Sequence, residues 1–327
     1  MSKNKNYLIV FLSIAFFVSL AVCLSGSTEP KNENKPYPEE ASVTLSAPVP
    51  SHVTFCGQEV DLERLDMRER FDREINSMAY FHSTTMLYIK RANRYFPIIE
   101  PILNKYNIPG DFKYLCVIES NLDTRALSPM KAAGLWQFME QTAKNYRLEI
   151  RDGVDERYHI EKATEAACRY FLDAYKIYGD WANVAVSYNA GIARISSSMK
   201  QQQESSAFDL LLVSETSRYL FRIMAIKEIF SDPKKYGFNL KKEDLYPPVE
   251  MDWVDVQNTI PSLTAFAKQH GLNYMQLKDY NVWLRDTTLI IPKQGHKVYR
   301  IAIPKKEDLY YNKKRIRVHD KAWICKE

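Results

Sequence analysis

Glu119 is the residue whose place in the sequence most clearly calls for a chemical explanation. Phe112, Leu115 and Cys116 precede it at spacings that put side chains on one face of an α-helix. Burial on that apolar face would disfavour the charged form and raise the carboxyl pKa from about 4.3 toward about 6. A carboxyl that keeps its proton near neutrality can protonate a leaving oxygen. The alternative is a glutamate at a helix end that the backbone or an arginine satisfies.

A set of ordered motifs accompanies Glu119 along the chain. In chain order they occupy residues 119–120, 126–129, 133–138, 187–191 and 215–219. Together they resemble the motifs of the lytic transglycosylases with a lysozyme-like domain, and the resemblance extends over residues 57–303. It implies a lysozyme-like, all-helical catalytic domain whose partner is the glycan strand of peptidoglycan.

The resemblance also implies roles for the residues around the carboxyl. Glu119 corresponds to the catalytic acid of the family, and Ser120 to the hydroxyl beside that acid. Tyr219 corresponds to a tyrosine that hydrogen-bonds the acid, and Glu215 to the acidic residue that opens the last motif. Because Tyr219 also lies on an apolar helical stripe, an ordinary core position is the alternative for it.

Five further residues correspond to positions that contact the substrate. Ser128, Gly134 and Gln137 correspond to the loop that holds the N-acetyl sugar. A hydroxyl and an amide suit that task because each can donate and accept a hydrogen bond. Tyr188 and Asn189 correspond to residues that line the cleft near the bond to be cleaved. For Gly134, a simple turn position is the alternative.

The chemistry implied by the resemblance needs one carboxyl, whereas ordinary glycosidases use two. Asp123, Glu140 and Glu215 are the other acidic residues considered, and no pattern requires any of them. Glu119 would protonate the bond between N-acetylmuramic acid and N-acetylglucosamine and then act as the base that closes a 1,6-anhydro ring. Two alternatives remain open at this point: a hydrolytic muramidase on the same fold, and a non-catalytic murein-binding protein.

From residue 61 to residue 246 the chain has helical periodicity, and no strand is predicted there. Helices are predicted at 61–74 on the surface, 83–96 ending before Pro97, 98–106, 111–121, 137–146, 163–178, 181–188 and 215–230. After Pro247 and Pro248, strands are predicted at 250–256, 288–291 and 297–303 and helices at 263–270 and 274–280. The predicted class is mainly α with a small α+β module.

The α+β module resembles a LysM peptidoglycan-binding module, which has two helices flanked by strands. Leu277, Asn281 and Leu284 are among the residues that carry this resemblance. The Gly-Asp-Thr entry of such modules is replaced here by the residues 257–259, which read Gln-Asn-Thr. The resemblance implies murein binding by the module, and a generic packing domain is the alternative.

The amino-terminal end predicts export. Lys3 and Lys5 precede an uncharged apolar run, residues 7–24, as in a secretory signal, and cleavage, retention as a membrane anchor and lipidation at Cys23 all remain open. We therefore expect a periplasmic or cell-envelope protein that contacts the membrane through this segment. The expected divisions are 1–25 signal or anchor, 26–56 flexible linker, 57–247 catalytic domain, 248–304 LysM-like module and 305–327 basic tail.

Composition and charge limit the partners and cofactors that we expect for the protein. The 327 residues carry a net charge of +5 without a nucleic-acid motif, so no nucleic-acid partner is expected. The 21 Tyr, 15 Phe and 5 Trp suit an apolar core and also a carbohydrate cleft. Four cysteines outside the signal allow three pairings, and no CxxC or HExxH spacing is present. We expect neither a metal nor another cofactor, and the oligomeric state is left open.

Overall fold

A computed structural model describes residues 45–292 and 297–325 of the chain. The predicted signal or anchor at 1–25, the first part of the predicted linker and the lipidation site Cys23 lie outside the described residues. Within these described ranges, no helix is both long enough and apolar enough to cross a bilayer. The four cysteines in the same ranges, Cys56, Cys116, Cys168 and Cys325, are free thiols.

Eight helices of the described chain build the larger, amino-terminal part of the structure. They are α1 Leu65–Tyr80, α2 His82–Lys105, α3 Lys113–Ser120, α4 Glu140–Asn145, α5 Ile160–Tyr178, α6 Trp181–Ala190, α7 Ile192–Gln202 and α8 Ser214–Ser231. The short α3 is central, because six of its eight side chains are buried. Helices α2 and α8 pack against α3 and hold it in place. The end of this helix is therefore a rigid position for Glu119.

The predicted helix stop at Pro97 is wrong, because α2 continues through Pro97 and Pro101 to Lys105. A proline inside a helix costs about 3 kcal/mol. The same helix fully buries Phe96, Ile99 and Leu103. Burial of each such side chain contributes about 1.5–3 kcal/mol, so packing outweighs the local cost of the prolines.

Among the residues that the structure describes, four short strands precede residue 246, so the prediction of no strand from residue 61 to residue 246 is also wrong. β1 His52–Phe55 pairs with β2 Gln58–Asp61, and β3 Ile150–Arg151 pairs with β4 Val154–Asp155, both antiparallel. β1 lies within the predicted linker 26–56, whose last residues are therefore folded: Val53 and Phe55 are buried in the helical core. The predicted surface helix 61–74 begins instead at Leu65 and buries Phe71. Strands this short are hard to separate from loops in a sequence.

The carboxyl-terminal module has the predicted order of elements. β5 Met251–Val256 pairs with β6 Tyr299–Pro304, and α9 Leu263–Gln269 and α10 Tyr274–Tyr280 lie between them in the chain. The predicted strand 288–291 is reduced to one bridge between Leu289 and Ile260. The prediction of a mainly α chain with a small α+β module is confirmed.

A separate basic tail was expected at 305–327, and its described residues, 305–325, pack onto the helical part of the molecule. Ile316 and Trp323 are buried in the helical core, and the Trp323 indole N–H donates to the Phe230 carbonyl at 3.1 Å. The buried Asn93 amide donates to the Arg317 carbonyl at 3.0 Å. Two isolated apolar residues among lysines and arginines show no period, so the sequence alone does not predict this return.

Candidate active site

The Glu119 carboxyl lies at the carboxyl-terminal end of α3, where Asn121 ends the helix in a left-handed conformation with φ of 57°. The residue is half-buried, so the carboxyl is largely enclosed by protein yet keeps access to solvent. The Tyr219 hydroxyl donates a hydrogen bond of 2.6 Å to Glu119 Oε1. This is the contact that the family resemblance implies for the two residues.

Burial raises the pKa of Glu119 from 4.5 to about 7. The hydrogen bond from Tyr219 and the charge of Arg222 act in the opposite direction, because both favour the carboxylate. The negative charge of Glu215 adds to the rise. The carboxyl is therefore divided between its acid and its ionised form near neutral pH, so it can serve as a proton donor and as a proton acceptor.

Helix α8 supplies the polar residues that act on Glu119. Glu215, Tyr219 and Arg222 occupy positions i, i+4 and i+7, so they share one helix face. Tyr219 is buried, Arg222 is half-buried and Glu215 is exposed. Tyr219 thus occupies a core position and also contacts the acid. Our sequence interpretation missed Arg222, which the same helical spacing from Tyr219 would have identified.

The loop predicted to hold the N-acetyl sugar, residues 126–138, is shaped by its own polar groups. The Ser128 hydroxyl accepts from the Ala132 N–H at 3.0 Å. The Gln137 amide donates to the Gly134 carbonyl at 2.8 Å and to the Ala126 carbonyl at 3.3 Å. The Ser128 hydroxyl hydrogen and the Gln137 amide oxygen are not used in these bonds. Ser128 and Gln137 therefore maintain the loop, and each has one polar group that these bonds do not use.

Gly134 lies where this loop (the sugar loop, residues 126–138) approaches Arg157. Its φ is +75°, and a Cβ built there would stand 1.9 Å from the Arg157 carbonyl oxygen. The Arg157 guanidinium donates to the Lys131 carbonyl at 2.8 Å and to the Phe138 carbonyl at 3.2 Å. Arg157 was not singled out from the sequence, because a contact across about twenty residues leaves no local pattern. Both the turn conformation and the close approach require glycine.

Tyr188 connects the sugar loop to the region of the acid. Its hydroxyl donates to the Trp136 carbonyl at 2.6 Å, and its ring packs edge-on against Trp136 and Phe138. The pKa of Tyr188 is raised well above its ordinary value by burial and then by the charge of Glu119. Tyr188 is therefore close to the acid, with its hydroxyl engaged by the loop backbone.

Asn189 and Ser120 are both engaged in contacts within the protein. The Asn189 side-chain oxygen accepts from the Thr216 hydroxyl at 2.8 Å, which ties the end of α6 to the start of α8. The Ser120 hydroxyl is buried and donates to the Cys116 carbonyl at 2.9 Å, one turn back in α3. The structure thus directs the Ser120 donor to its own helix.

Three acidic residues were considered as a possible second acid, and they differ in their relation to Glu119. Glu140 is exposed and pairs with Lys144 at 2.6 Å, and an Asp123 oxygen lies 3.9 Å from an Arg91 nitrogen. Glu215 is the carboxylate whose charge acts on Glu119. No hydrogen bond joins Glu119 to another carboxylate in the described ranges 45–292 and 297–325.

Two segments of this chain match known protein families, and most of the chain aligns with known proteins. Residues 97–211 match the family described as the transglycosylase SLT domain, and residues 252–307 match the soluble lytic transglycosylase C-terminal LysM-like domain. Two curated relatives, membrane-bound lytic murein transglycosylase D of Escherichia coli strain K12 and of Escherichia coli O6:H1, are each 28% identical over 252 residues. The alignment covers 72% of this chain and 52% of each relative.

The chain thus spans about half the length of the curated relatives that it matches. The crystal structure of the 70 kDa soluble lytic transglycosylase of Escherichia coli aligns over 43% of this chain and 25% of its own, with 19% identity and a TM-score of 0.37. The family resemblance inferred from the motifs around Glu119 is confirmed by the family matches. Residues 97–211 of this chain are thus similar to the transglycosylase SLT domain, and residues 252–307 are similar to the C-terminal LysM-like domain of soluble lytic transglycosylases.

Proposed function

We propose that this protein is a peptidoglycan lytic transglycosylase. It cleaves the β-1,4 bond between N-acetylmuramic acid and N-acetylglucosamine without water and leaves 1,6-anhydro ends. The observation that supports this proposal most strongly is Glu119, whose half-buried carboxyl has a pKa raised to about 7 and accepts a hydrogen bond from Tyr219. This carboxyl lies within the segment that matches the SLT family.

In the proposed reaction Glu119 is first the acid and then the base. Its carboxyl proton passes to the glycosidic oxygen, the bond to the muramic C1 breaks, and the N-acetylglucosamine unit leaves with a hydroxyl. The 2-acetamido carbonyl of the muramic acid stabilises the positive charge at C1. The ionised Glu119 then takes the proton of the muramic 6-hydroxyl, whose oxygen bonds to C1 and closes the ring. Glu119 ends the cycle protonated.

The Tyr219 hydroxyl suits the middle of this cycle, because a hydrogen bond to a carboxylate is stronger than one to a neutral carboxyl. It therefore stabilises Glu119 in the ionised state between the two proton transfers. A pKa near the working pH serves both transfers, since neither direction is strongly unfavourable. The sugar loop 126–138, through Ser128, Gly134 and Gln137, would hold the acetamido sugar against this pair. Tyr188 and Asn189 would line the cleft beside it.

A hydrolytic muramidase is the second candidate, and the position of Glu215 is what favours it. Glu215 is exposed, and its charge acts on Glu119. In a hydrolase such a carboxylate would activate a water or attack C1. The two candidates differ in their products, because hydrolysis creates reducing ends and ring closure does not. A protein that only binds murein would release no fragments at all.

Digestion of purified sacculi by the full chain tests the proposal. We expect soluble glycan fragments to appear without a matching increase in reducing ends. Reducing ends that form in proportion to the fragments, and that disappear in Glu215→Gln, would establish the muramidase instead. Binding to sacculi without release of fragments would contradict both enzymatic candidates.

Tyr219→Phe is expected to move the alkaline limb of the pH–rate profile to higher pH. The substitution removes a hydrogen bond that favours the ionised carboxyl, so the pKa of Glu119 rises further above about 7. A bond of this kind is worth about 1.5 kcal/mol, which corresponds to about one pH unit. The measurement is the rate of fragment release across the pH range, and an unmoved alkaline limb would show that Tyr219 does not act on Glu119.

The LysM-like domain and the amino-terminal segment support a proposal about where the protein works. We propose that residues 252–307 bind murein, as the LysM-like match suggests, and that the protein works in the cell envelope, where its substrate is found. The predicted signal or anchor at residues 1–25 would bring it there and could attach it to the membrane.

A further inference from the structure

We propose that the LysM-like domain is a brace for the sugar loop 126–138 of the catalytic domain, in addition to any binding of murein. The connecting piece is the hairpin formed by β3 and β4, residues 150–155. This hairpin contacts the LysM-like domain with its backbone and the sugar loop through Asp155 and Arg157. The inference rests on the proposed function only for the identity of the sugar that the loop would hold.

The LysM-like domain pairs with the hairpin through backbone groups. The Asp155 N–H donates to the Trp283 carbonyl and the Arg285 N–H donates to the Gly153 carbonyl, each at 2.9 Å. Between these two bonds, Val154 and Leu284 form an antiparallel bridge. Residues 283–285 thus extend the small sheet of β3 and β4 from the side of the LysM-like domain.

Polar side chains reinforce the same contact. The Arg151 guanidinium donates to the Ile290 carbonyl at 2.7 Å and to the Tyr299 hydroxyl at 2.9 Å. The Tyr299 hydroxyl in turn donates to Glu149 at 2.8 Å, and Lys297 forms an ion pair with the same carboxylate. These contacts join β3 of the hairpin and the residue before it to β6 and to residues that precede β6 in the chain.

The opposite side of the hairpin holds the sugar loop. The Asp155 carboxylate pairs with the Arg157 guanidinium at 2.7 Å, and both residues are buried. That guanidinium donates to the Lys131 and Phe138 carbonyls, which lie on either side of Gly134 in the sugar loop. Asp155 therefore bonds to the LysM-like domain through its N–H and to the loop-holding arginine through its side chain.

Apolar packing follows the same route. Ala133 of the sugar loop and Val154 of the hairpin belong to the hydrophobic cluster of the LysM-like domain, not to the cluster of the helices. Leu284 belongs to the same cluster, and all three residues are fully buried. A shift of the LysM-like domain would displace Ala133 directly and Arg157 through Asp155. Asp155 and Leu284 are accordingly positioning residues, since they act on the substrate through the loop.

Truncation of Leu284 tests the brace, and truncation of Leu277 is the matched control. Both leucines are 0% exposed and belong to the same cluster, but Leu277 lies in α10 and Leu284 bridges to the hairpin. Leu284→Ala is expected to speed hydrogen exchange at the loop amides of residues 131–134 at least about tenfold, and Leu277→Ala is expected to leave that exchange unchanged. Hydrogen exchange needs no catalysis, so it tests the brace even if the proposed function fails.

Kinetics on soluble glycan strands give the second readout. Leu284→Ala is expected to raise KM about tenfold with a small change in kcat, because the loop positions the sugar and does not transfer the proton. The alkaline limb set by Glu119 should stay where it is. Equal effects of Leu284→Ala and Leu277→Ala on exchange and KM would overturn the brace.

Tyr299→Phe provides a milder variant that keeps the test decisive if Leu284→Ala fails to fold. It removes only the hydroxyl that joins Arg151 and Glu149. A smaller increase of loop exchange in the same direction supports the brace, and wild-type exchange at residues 131–134 in this folded variant contradicts it.

Discussion

Glu119→Gln is expected to abolish glycan cleavage while the fold remains intact. Acid or base assistance contributes about 10²- to 10⁴-fold to a reaction, and one residue here supplies both. We therefore expect a loss of about 10⁴-fold or more in fragment release. The amide oxygen of glutamine can still accept from Tyr219, so the hydrogen bond that links α3 and α8 is retained. Circular dichroism and fragment release are the measurements.

The same variant should be more stable than the wild type at alkaline pH. The folded protein raises the pKa of Glu119 from 4.5 to about 7, so the native state binds a proton that the unfolded state has released. The free energy of unfolding of the wild type therefore decreases as the pH rises from 4.5 to about 7, and the total loss is about 3 kcal/mol. Glutamine does not titrate, so the variant should exceed the wild type by up to that amount at pH 8, relative to the difference between them at pH 4.

Glu140→Gln is the matched control for both measurements. Glu140 is exposed and pairs with Lys144 on the surface of α4. It should cleave murein at the wild-type rate and unfold with nearly the wild-type pH dependence. Full activity in Glu119→Gln, or a stability difference that does not change between pH 4 and pH 8, would remove Glu119 from the proposed role.

Gly134→Ala is expected to damage the sugar loop severely. The added Cβ would meet the Arg157 carbonyl oxygen at 1.9 Å, and a backbone atom cannot move aside as a flexible side chain can. The φ of +75° adds a strain of its own. We expect a loss of about 3 kcal/mol or more in the free energy of unfolding, together with a large rise in KM. Urea unfolding and kinetics on soluble glycan strands are the measurements.

Gly179→Ala separates the steric contact from the strain at positive φ. Gly179 ends α5 with φ of +62°, and nothing lies within 4 Å of a Cβ built there. Its substitution should therefore cost only about 1 kcal/mol and leave KM unchanged. A cost for Gly134→Ala that is no larger than for Gly179→Ala would mean that the loop can move away from Arg157.

Much of the helical framework around Glu119 can be predicted from the sequence because it depends on local periodicity. The apolar face that carries Glu119, the stripe along α5 and its end at Gly179, and the helix α8 all follow from spacings within a few turns. The structure has these helices within about three residues of the predicted bounds. The family motifs add the pairing of Glu119 with Tyr219, which no local pattern contains.

The features that could not be predicted depend on contacts between distant segments. Burial along α2 overrides the stop signal at Pro97, and Trp323 fills a site in the helical core from the far end of the chain. Asp155 and Arg157 look like ordinary surface charges in the sequence, yet they are buried and hold the sugar loop. Arg222 is different, because its spacing from Tyr219 along α8 places it on the same helix face.

The loop 126–138 shows that a sequence motif does not reveal the task of each of its residues. Its polar residues were predicted to contact the sugar, and that role stays a prediction. The structure adds that Ser128 and Gln137 first bond to the loop backbone. A motif shows which residue types occur together, but it does not separate the groups that build a loop from the groups that bind a ligand.

Mass spectrometry of the fragments released from purified sacculi tests the central claim most directly. The full chain and its Glu119→Gln variant are compared under the same conditions. The proposed reaction predicts fragments that end in 1,6-anhydro-N-acetylmuramic acid, each one water lighter than a hydrolysis product, and none from the variant. Fragments that carry the added water at their muramic ends would contradict the account, and so would anhydro fragments released by Glu119→Gln.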